Sequence, residues 1–411
     1  MSGSQGVFQT TTLMGKRIAI VGAGAAGCFA ACLVREALPE AETVVFEAGK
    51  KPMAKLSITG GGRCNLTNSF QGIRSLSEAY PRGGRLMKRL LKAFSQDDIR
   101  EWFLTRGVPT LIQEDQCCFP VSQDAMDIVN CLYRGMQGAD IRCGVRVRSI
   151  DRQGEAYVIE GECFDRVLVT TGGASGGMGF LSNLGIEVVT PVPSLFTFEI
   201  ASAELRSLMG LVVNASVSIP STSFRAGGPL LITDWGISGP ATLKLSSYAA
   251  RYLADSAYKC EVSINWMEGK SQDSIKSAIV ALGEESPRKT LANTPLLSHR
   301  LWAHIISRAG LRRDIRWAEL GSKGLNHLVQ TLSNDIYKVE GKGKFRDEFV
   351  TAGGVSLSSI NPSTLESKTA PGLYFAGEVL DIDAITGGFN LQAAWSTGFV
   401  AAKAVISSLQ S

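Results

Sequence analysis

Apolar residues along this chain fall first in short runs, then at helical spacing, then again in short runs. Ile18 to Val21 is an apolar strand that closes on glycine. Gly27 to Leu38 is a helix of small residues able to pack close to a sheet, and Thr43 to Phe46 is a second strand followed directly by Glu47. The order reads β-α-β. Residues 82–106 read as helical, with Leu86, Leu90, Leu91 and Phe94 near one stripe. Residues 122–137 read as another helix, capped by Ser122, with Met126, Val129 and Leu132 turned inward. Strand patterns follow at Gly144 to Asp151, Ala156 to Ile159 and Arg166 to Thr170, and again at Leu195 to Ile200, Leu211 to Ile219, Leu230 to Thr233 and Cys260 to Ile264. Between 268 and 335 the texture becomes helical, punctuated by Pro287 and Pro295. Strands return at Phe349 to Val350 and Gly372 to Phe375, and a last helix spans about Asn390 to Leu409. A β-α-β unit that is interrupted and resumed predicts a discontinuous nucleotide-binding domain with a β unit and a helical unit inserted into it.

The glycines sit where that pattern needs them. Gly22, Gly24 and Gly27 form GxGxxG between the first strand and the first helix. The first allows a tight turn, the second lets backbone approach a pyrophosphate, and the third lets helix and strand pack closely. The helix N-terminus adds free amides, including those of Ala25 and Ala26, and a partial positive charge. Glu47 stands twenty positions after Gly27, where a carboxylate can accept from ribose hydroxyls. The run Lys55-Leu56-Ser57-Ile58-Thr59-Gly60-Gly61-Gly62-Arg63-Cys64-Asn65-Leu66-Thr67-Asn68 adds bare amides able to form an anion-binding concavity. Within it Arg63 can pair with phosphate, and Asn65 and Asn68 can read a ring or ribose. Cys64 is either a redox thiol or packed filler. Together the two glycine segments point to a bound dinucleotide, FAD first among the candidates.

Two further segments join this set. Thr171-Gly172-Gly173 ends an apolar strand with residues small enough to pass close to a cofactor. Gly377-Glu378-Val379-Leu380-Asp381 leads into Thr386-Gly387-Gly388-Phe389-Asn390-Leu391-Gln392 and the last helix. That helix N-terminus can face the flavin's pyrimidine end, where negative charge develops on reduction. Glu378 or Asp381 can bind a ribityl hydroxyl.

Composition narrows the partners. The 411 residues are 45% hydrophobic and 19% charged, ordinary for a globular protein, with a net charge of only +4 that by itself calls for neither nucleic acid nor an anionic membrane. Nine cysteines, an odd number with no CxxC, suit a reduced, cytoplasmic chain. Cys28 and Cys32 are expected to fill core space. Three histidines (His299, His304, His327) argue against a histidine-rich metal site, and His299 and His304 are expected to be structural. The N-terminus lacks an apolar secretory core; residues before Met14 read as a loose tail, with Met14 itself an alternative start. No apolar run is long enough for a membrane span. Arg82, Arg85, Lys88, Arg89 and Lys92 form a basic run on a helix that could touch nucleic acid, although a solvated face is the plainer reading.

The chain resembles the bacterial FAD-binding flavoproteins of the YhiN/BaiN-like group, which includes the aminoacetone oxidases. The resemblance rests on GxGxxG, the run Thr59 to Asn68, Gly236-Ile237-Ser238-Gly239-Pro240, Val350-Thr351-Ala352-Gly353-Gly354-Val355, Gly372 to Asp381 and Thr386 to Gln392. It implies an α/β fold in three parts. A discontinuous Rossmann-like FAD-binding domain would take residues 1–190 and 341–411, a β-barrel-like domain 191–265 and 326–340, and a small helical domain 266–325. It implies FAD held by Gly22, Gly24, Ala25, Ala26, Gly27, Glu47, Ala48, Lys55, Thr59 to Asn65, Thr67, Val147, Thr171 to Gly173, Gly377, Glu378, Asp381 and Gly388 to Leu391.

Members of the group look like aminoacetone oxidases or NAD(P)H-linked reductases of unsaturated steroid acids. The expected activity is therefore an FAD-dependent oxidoreductase moving a hydride through flavin N5 to or from a small organic substrate. That substrate would enter between the FAD domain and the inserted β unit. With one dinucleotide fingerprint, NAD(P)H would dock only transiently. The rival readings are an FAD-binding RNA-associated or regulatory protein, and a chain whose FAD is purely structural. No residue stands out as catalytic acid or base, and substrate, electron acceptor and oligomeric state stay unassigned.

Departures from the group set the substrate side apart. Thr59 replaces a serine. Gln116-Cys117-Cys118 replaces Gly-Arg-Val before Phe119-Pro120, losing an arginine. Thr-His-Phe-Gly becomes Thr233-Asp234-Trp235-Gly236. A longer glycine stretch is compressed to Ala174-Ser175-Gly176-Gly177-Met178-Gly179.

Overall fold

The computed structural model describes residues 15–173, 178–293, 295–343 and 350–410. The N-terminal tail with Met14, the Ala174–Gly177 part of the compressed stretch, and Phe349 lie outside the described residues.

The chain divides into two compact units, one running to Pro191 and resuming at Val350, the other spanning 192–349. The first is built on a five-stranded parallel sheet in the order Leu373–Phe375, Arg166–Val169, Arg17–Val21, Glu42–Glu47, Asp140–Cys143. Its central strands are apolar in their interiors, with charged residues kept to their ends, as burial on both faces of a parallel sheet requires. Ile18, Ala19, Ile20, Val44, Val45, Val167, Leu168 and Val169 are all buried. The helix Ala25–Ala37 packs closely along the last helix, Phe389–Gln410. Small residues permit this approach: a Cβ on Gly398 would meet the Ala26 carbonyl at 3.1 Å. Around them Phe29, Trp102, Phe103 and Trp395 form an edge-to-face aromatic cluster, with Phe94 tilted against Phe29.

The second unit closes a six-stranded barrel: Phe198–Ile200, Gly236–Ser238, Arg225–Ile232, Val212–Ser218, Cys260–Asn265 and Asp335–Lys342. The helices Gln272–Glu285, His299–Arg308 and Gly321–Ser333 cover its core, with Trp266, Trp302 and Trp317 buried among aliphatic side chains.

Local readings need several corrections. Residues 82–106 are two helices, Gly84–Ala93 and Gln96–Leu104, because Ser95 and Asp98 form a capping box that starts the second. Arg82 lies ahead of the first of these helices. The helix Ala125–Gly135 is capped by Asp124 rather than Ser122, since the Asp124 carboxylate accepts from the Met126 N–H at 2.8 Å; Met126 itself faces solvent. Gly144–Asp151 is mostly irregular, with regular pairing only up to Cys143 and again from Asp151.

Candidate functional site

At the first glycine turn the backbone conformation is set by sterics. Gly22 has φ +109, and a Cβ there would stand 2.5 Å from the Thr170 carbonyl. A Cβ on Gly27 would run into the Gly22 carbonyl and the Thr170 hydroxyl, and Thr170 Oγ1 donates to Gly22 O at 2.6 Å. Gly24 differs: it has ordinary φ and open space where a Cβ would stand. It gives the helix no side-chain cap, and the first turn carries no acid. Those first-turn amides therefore suit an acceptor from outside the chain. Gly61 and Gly62, at φ +69 and +83, likewise have nothing within 4 Å of a Cβ position. A bare amide cradle with open space above it fits a pyrophosphate, so these residues fit FAD.

Beside the turn lies a cavity of about 370 Å³ lined by Val21, Gly22, Phe46, Glu47, Ala48, Val145 to Arg148, Thr171, Gly173, Gly179 and Phe180. It collects Gly22, Glu47, Ala48, Val147, Thr171 and Gly173 from the expected set. Glu47 also buttresses the loop. Its Oε2 accepts from the Ala23 N–H at 2.9 Å and its Oε1 from the Gly49 N–H at 2.6 Å. The Val145 N–H donates to Glu47 O at 2.9 Å, extending the strand edge as one wall of the cavity.

The second glycine run is tied to both neighbouring segments. The Met53 N–H donates to Ala23 O at 2.7 Å, bringing the stretch with exposed Lys55 beside the dinucleotide turn. Asn65 donates to Thr67 O at 3.1 Å and accepts from the Gly388 N–H at 3.2 Å. Asn68 donates to Gly387 O at 3.0 Å, the Thr67 hydroxyl to Gln392 Oε1 at 2.6 Å, and the Trp395 indole to Leu66 O at 2.9 Å. Residues more than 300 positions apart thus form one loop cluster. Both asparagines spend their amides on protein backbone, which locks the glycines in place.

Arg63 has its guanidinium 4.5 Å above the Phe119 ring and donates to Gly60 O at 3.2 Å. Thr59 donates to Leu56 O, and Cys64 is buried at φ +59. Burial pushes the Cys64 thiol up to about 12, against a hydrogen bond from Thr59 that pulls it down. At neutral pH it is a protonated, packed thiol.

Glu378 ties the remaining glycines together. Its Oε1 accepts from the Thr351 N–H at 2.8 Å and its Oε2 from the Gly173 N–H at 3.1 Å, beside Gly172 at φ +73. The Gly377 N–H donates to Thr397 Oγ1 at 2.8 Å, and the Asn390 amide brackets Ala384 by donating to its C=O and accepting from its N–H. Tyr80 donates to Phe389 O at 2.9 Å. Asp381 is partly buried and engaged within the protein, and Leu391 lies in the first turn of the last helix.

Several residues escaped the sequence reading. Thr170, Thr397 and Trp395 stand in no motif, and Thr351 and Gln392, though inside matched segments, carried no role there, because each acts on a partner distant in sequence. Arg82 forks onto both carboxylate oxygens of fully buried Asp383, holding the segment between Asp381 and Gly387. Its position next to a basic run hid that role. Arg146 and Arg148 were legible only as alternation around Val147.

The family model described as "HI0933-like protein Rossmann domain" matches residues 16–404. The 3-dehydro-bile acid delta(4,6)-reductase of Clostridium scindens is 27% identical over 407 residues, covering 94% of this chain and 98% of that protein. The ribosomal RNA dihydrouridine synthase of Escherichia coli is 29% identical over 417 residues, covering 95% and 98%. Among solved structures, the 3-ketosteroid delta1-dehydrogenase of Sterolibacterium denitrificans, in complex with 1,4-androstadiene-3,17-dione, aligns with a TM-score of 0.46 at 12% identity, over 95% of this chain and 99% of that one. The chain belongs to the HI0933-like family of FAD-binding Rossmann proteins and is an FAD-dependent oxidoreductase.

Proposed function

We propose that this member of the family reduces a carbon–carbon double bond conjugated to a carbonyl, with NADH or NADPH docking transiently as the source of electrons. The observation that carries the reading is what two nearly full-length relatives share. One is named for reducing the delta(4,6) bonds of a 3-dehydro-bile acid and the other for making dihydrouridine in ribosomal RNA. The substrates differ, but in both names a double bond conjugated to a carbonyl gains two hydrogens.

FAD, when bound, supplies the hydride chemistry. The chain's part is to hold and shield it. The amides of Ala25, Ala26 and Gly27, with those of Gly61 and Gly62, would cradle the pyrophosphate. Glu47, Ala48 and Val147 would line the adenosine end. Gly388, Phe389 and Asn390, at the start of the last helix, would present amide dipoles to the pyrimidine end of the ring. Lys55 and Arg63 would add positive charge nearby. Cys64, a buried neutral thiol, would take no part in electron transfer. The unpaired state of all nine cysteines supports a cytoplasmic setting. Among the described residues no helix is long and apolar enough to cross a membrane.

A second reading puts the double bond in a pyrimidine of RNA. The exposed basic face of Gly84–Ala93 favours it, alongside the name of the E. coli relative. The test is product analysis by mass spectrometry after anaerobic incubation with NADH or NADPH and, separately, unsaturated ketones and ribosomal RNA. Gain of two hydrogens at a conjugated bond is expected. Amine oxidation with peroxide release in air, and no reduction of any unsaturated carbonyl, would replace the proposal with an oxidase.

A further inference from the structure

We propose that the exposed basic face of the helix Gly84–Ala93 docks the phosphate backbone of RNA. The inference rests on the second reading above, in which the reduced bond lies in an RNA base, and it names the surface that would hold such a substrate.

Arg85, Lys88, Arg89 and Lys92 are all exposed and stand at i, i+3, i+4 and i+7, on one face of the helix. The opposite face, Leu86, Met87 and Leu90, is buried, so the register of the basic face is fixed by the core. The helix contains no acidic residue. Among the described residues, none of the four basic side chains forms a salt bridge, and nearby acids are committed elsewhere. Asp98 accepts from the Ser95 N–H and hydroxyl at 2.7 Å, Asp97 accepts from Arg100 at 3.3 Å, and Glu78 has partners of its own.

From Arg85 to Lys92 the face runs about 10 Å along the helix axis, at 1.5 Å per residue. Unneutralised cations in a row suit a polyanion of regular charge spacing better than a compact anionic ligand.

The placement couples this face to the cofactor cluster. Arg82, two residues before the helix, grips Asp383 bidentately, and the Ile385 N–H donates to Ala79 O at 2.9 Å. A strand held on the face is therefore anchored to the same rigid part that carries Gly387 and Gly388.

The test uses the full-length FAD-loaded protein and a labelled single-stranded RNA of mixed sequence, with binding measured across a salt series. Four phosphate contacts give a log–log salt slope of about −3. The variant R85Q/K88Q/R89Q/K92Q is expected to lose affinity about tenfold or more at low salt and most of that slope. Its FAD content and its bleaching by NADH or NADPH should be unchanged. The milder K88Q/R89Q should lose about half the slope, and K276Q, on an exposed helix of the inserted unit, none of it.

Wild-type binding that survives in the quadruple variant overturns the assignment of this face while leaving the RNA reading standing. No RNA binding by the wild type, or binding to phosphatidylglycerol vesicles in place of RNA, overturns the face and the RNA reading together.

Discussion

In the unit that carries the glycine motifs, close approaches are made by backbone. Gly22 sits against Thr170, Gly27 against Gly22, and Gly388 against Thr67 and Asn65. Its polar side chains, among them Glu47, Glu378, Asn65 and Asn68, mostly hold peptide groups in place. In the inserted unit backbone approaches recur, at Gly236 against Phe198 O and at Gly239 against Pro229 O, and a buried network of side chains is added to them. Asp335 is its hub. It accepts from Trp266 at 3.1 Å, Tyr337 at 2.6 Å and Arg308 at 2.7 Å, and Tyr337 in turn meets His304 at 2.9 Å. The contrast teaches where each kind of information resides. A cofactor common to a family would be held here by amides, which almost any neighbouring side chains can support. The inserted unit is stabilised by particular side chains and departs from the family pattern at Asp234 and Trp235.

The sharpest way to break this comparison is at the two glycines of one turn. Gly27→Ala has no room for its methyl group and should abolish FAD loading, with overpacking costing about 1–3 kcal/mol or more. Gly24→Ala has room within the protein but intrudes where a phosphate would lie. It should leave the thermal midpoint nearly unchanged while weakening FAD about tenfold, roughly 1.4 kcal/mol. Flavin absorbance per protein and a thermal scan separate the two. Equal behaviour would mean that the space above Gly24 is not the phosphate site.

Next in size is Asp335→Asn. Removing a nearly buried carboxylate that accepts from three side chains should destabilise the inserted unit by about 2 kcal/mol, moderated because Arg308 is about a third exposed. FAD loading should not change, as read by denaturant melts of tryptophan and flavin signals.

These cases also show what the sequence made legible. GxGxxG was readable because the spacing of its glycines between a strand and a helix is a local pattern, although the Thr170 that excludes a Cβ at Gly22 and Gly27 lies far along the chain, and Glu47 because it ends the adjacent strand. The barrel strands announced themselves by short apolar runs. The Asp335 network and the Arg82–Asp383 pair were hidden because nothing at Asp335 or Arg82 signals a partner from another part of the chain. The break at Ser95 was missed because the apolar stripe continues across it, although Ser95 and Asp98 spell a capping box.

A smaller effect should appear with pH. Burial lowers the pKa of His304 from its ordinary 6.5, with Arg308 adding to the shift and Asp335 and Glu204 opposing it. The folded protein keeps His304 neutral where the unfolded chain would take up a proton. Its contribution is therefore complete above about pH 6.5 and is lost as pH falls toward the lowered folded value. His304→Gln should flatten that acid limb of the stability curve. An acid limb as steep in the variant as in the wild type would assign it to other groups.

The smallest expected effect is at Cys64. With its thiol raised to about 12 by burial, it should resist alkylation in the native protein while exposed Cys143 and Cys163 react. Cys64→Ala should keep flavin reduction at the wild-type rate, measured by stopped-flow bleaching. A large loss of rate with FAD still bound would give the thiol a redox role.

The central claim is tested most directly by following the visible spectrum of the FAD-loaded protein without oxygen. NADH or NADPH is added first, then an unsaturated ketone or ribosomal RNA. The account predicts bleaching by the nicotinamide and anaerobic recovery of the oxidised spectrum with one of the two acceptors. A flavin that bleaches with an amine, ignores both acceptors and recovers only when air is admitted would contradict it.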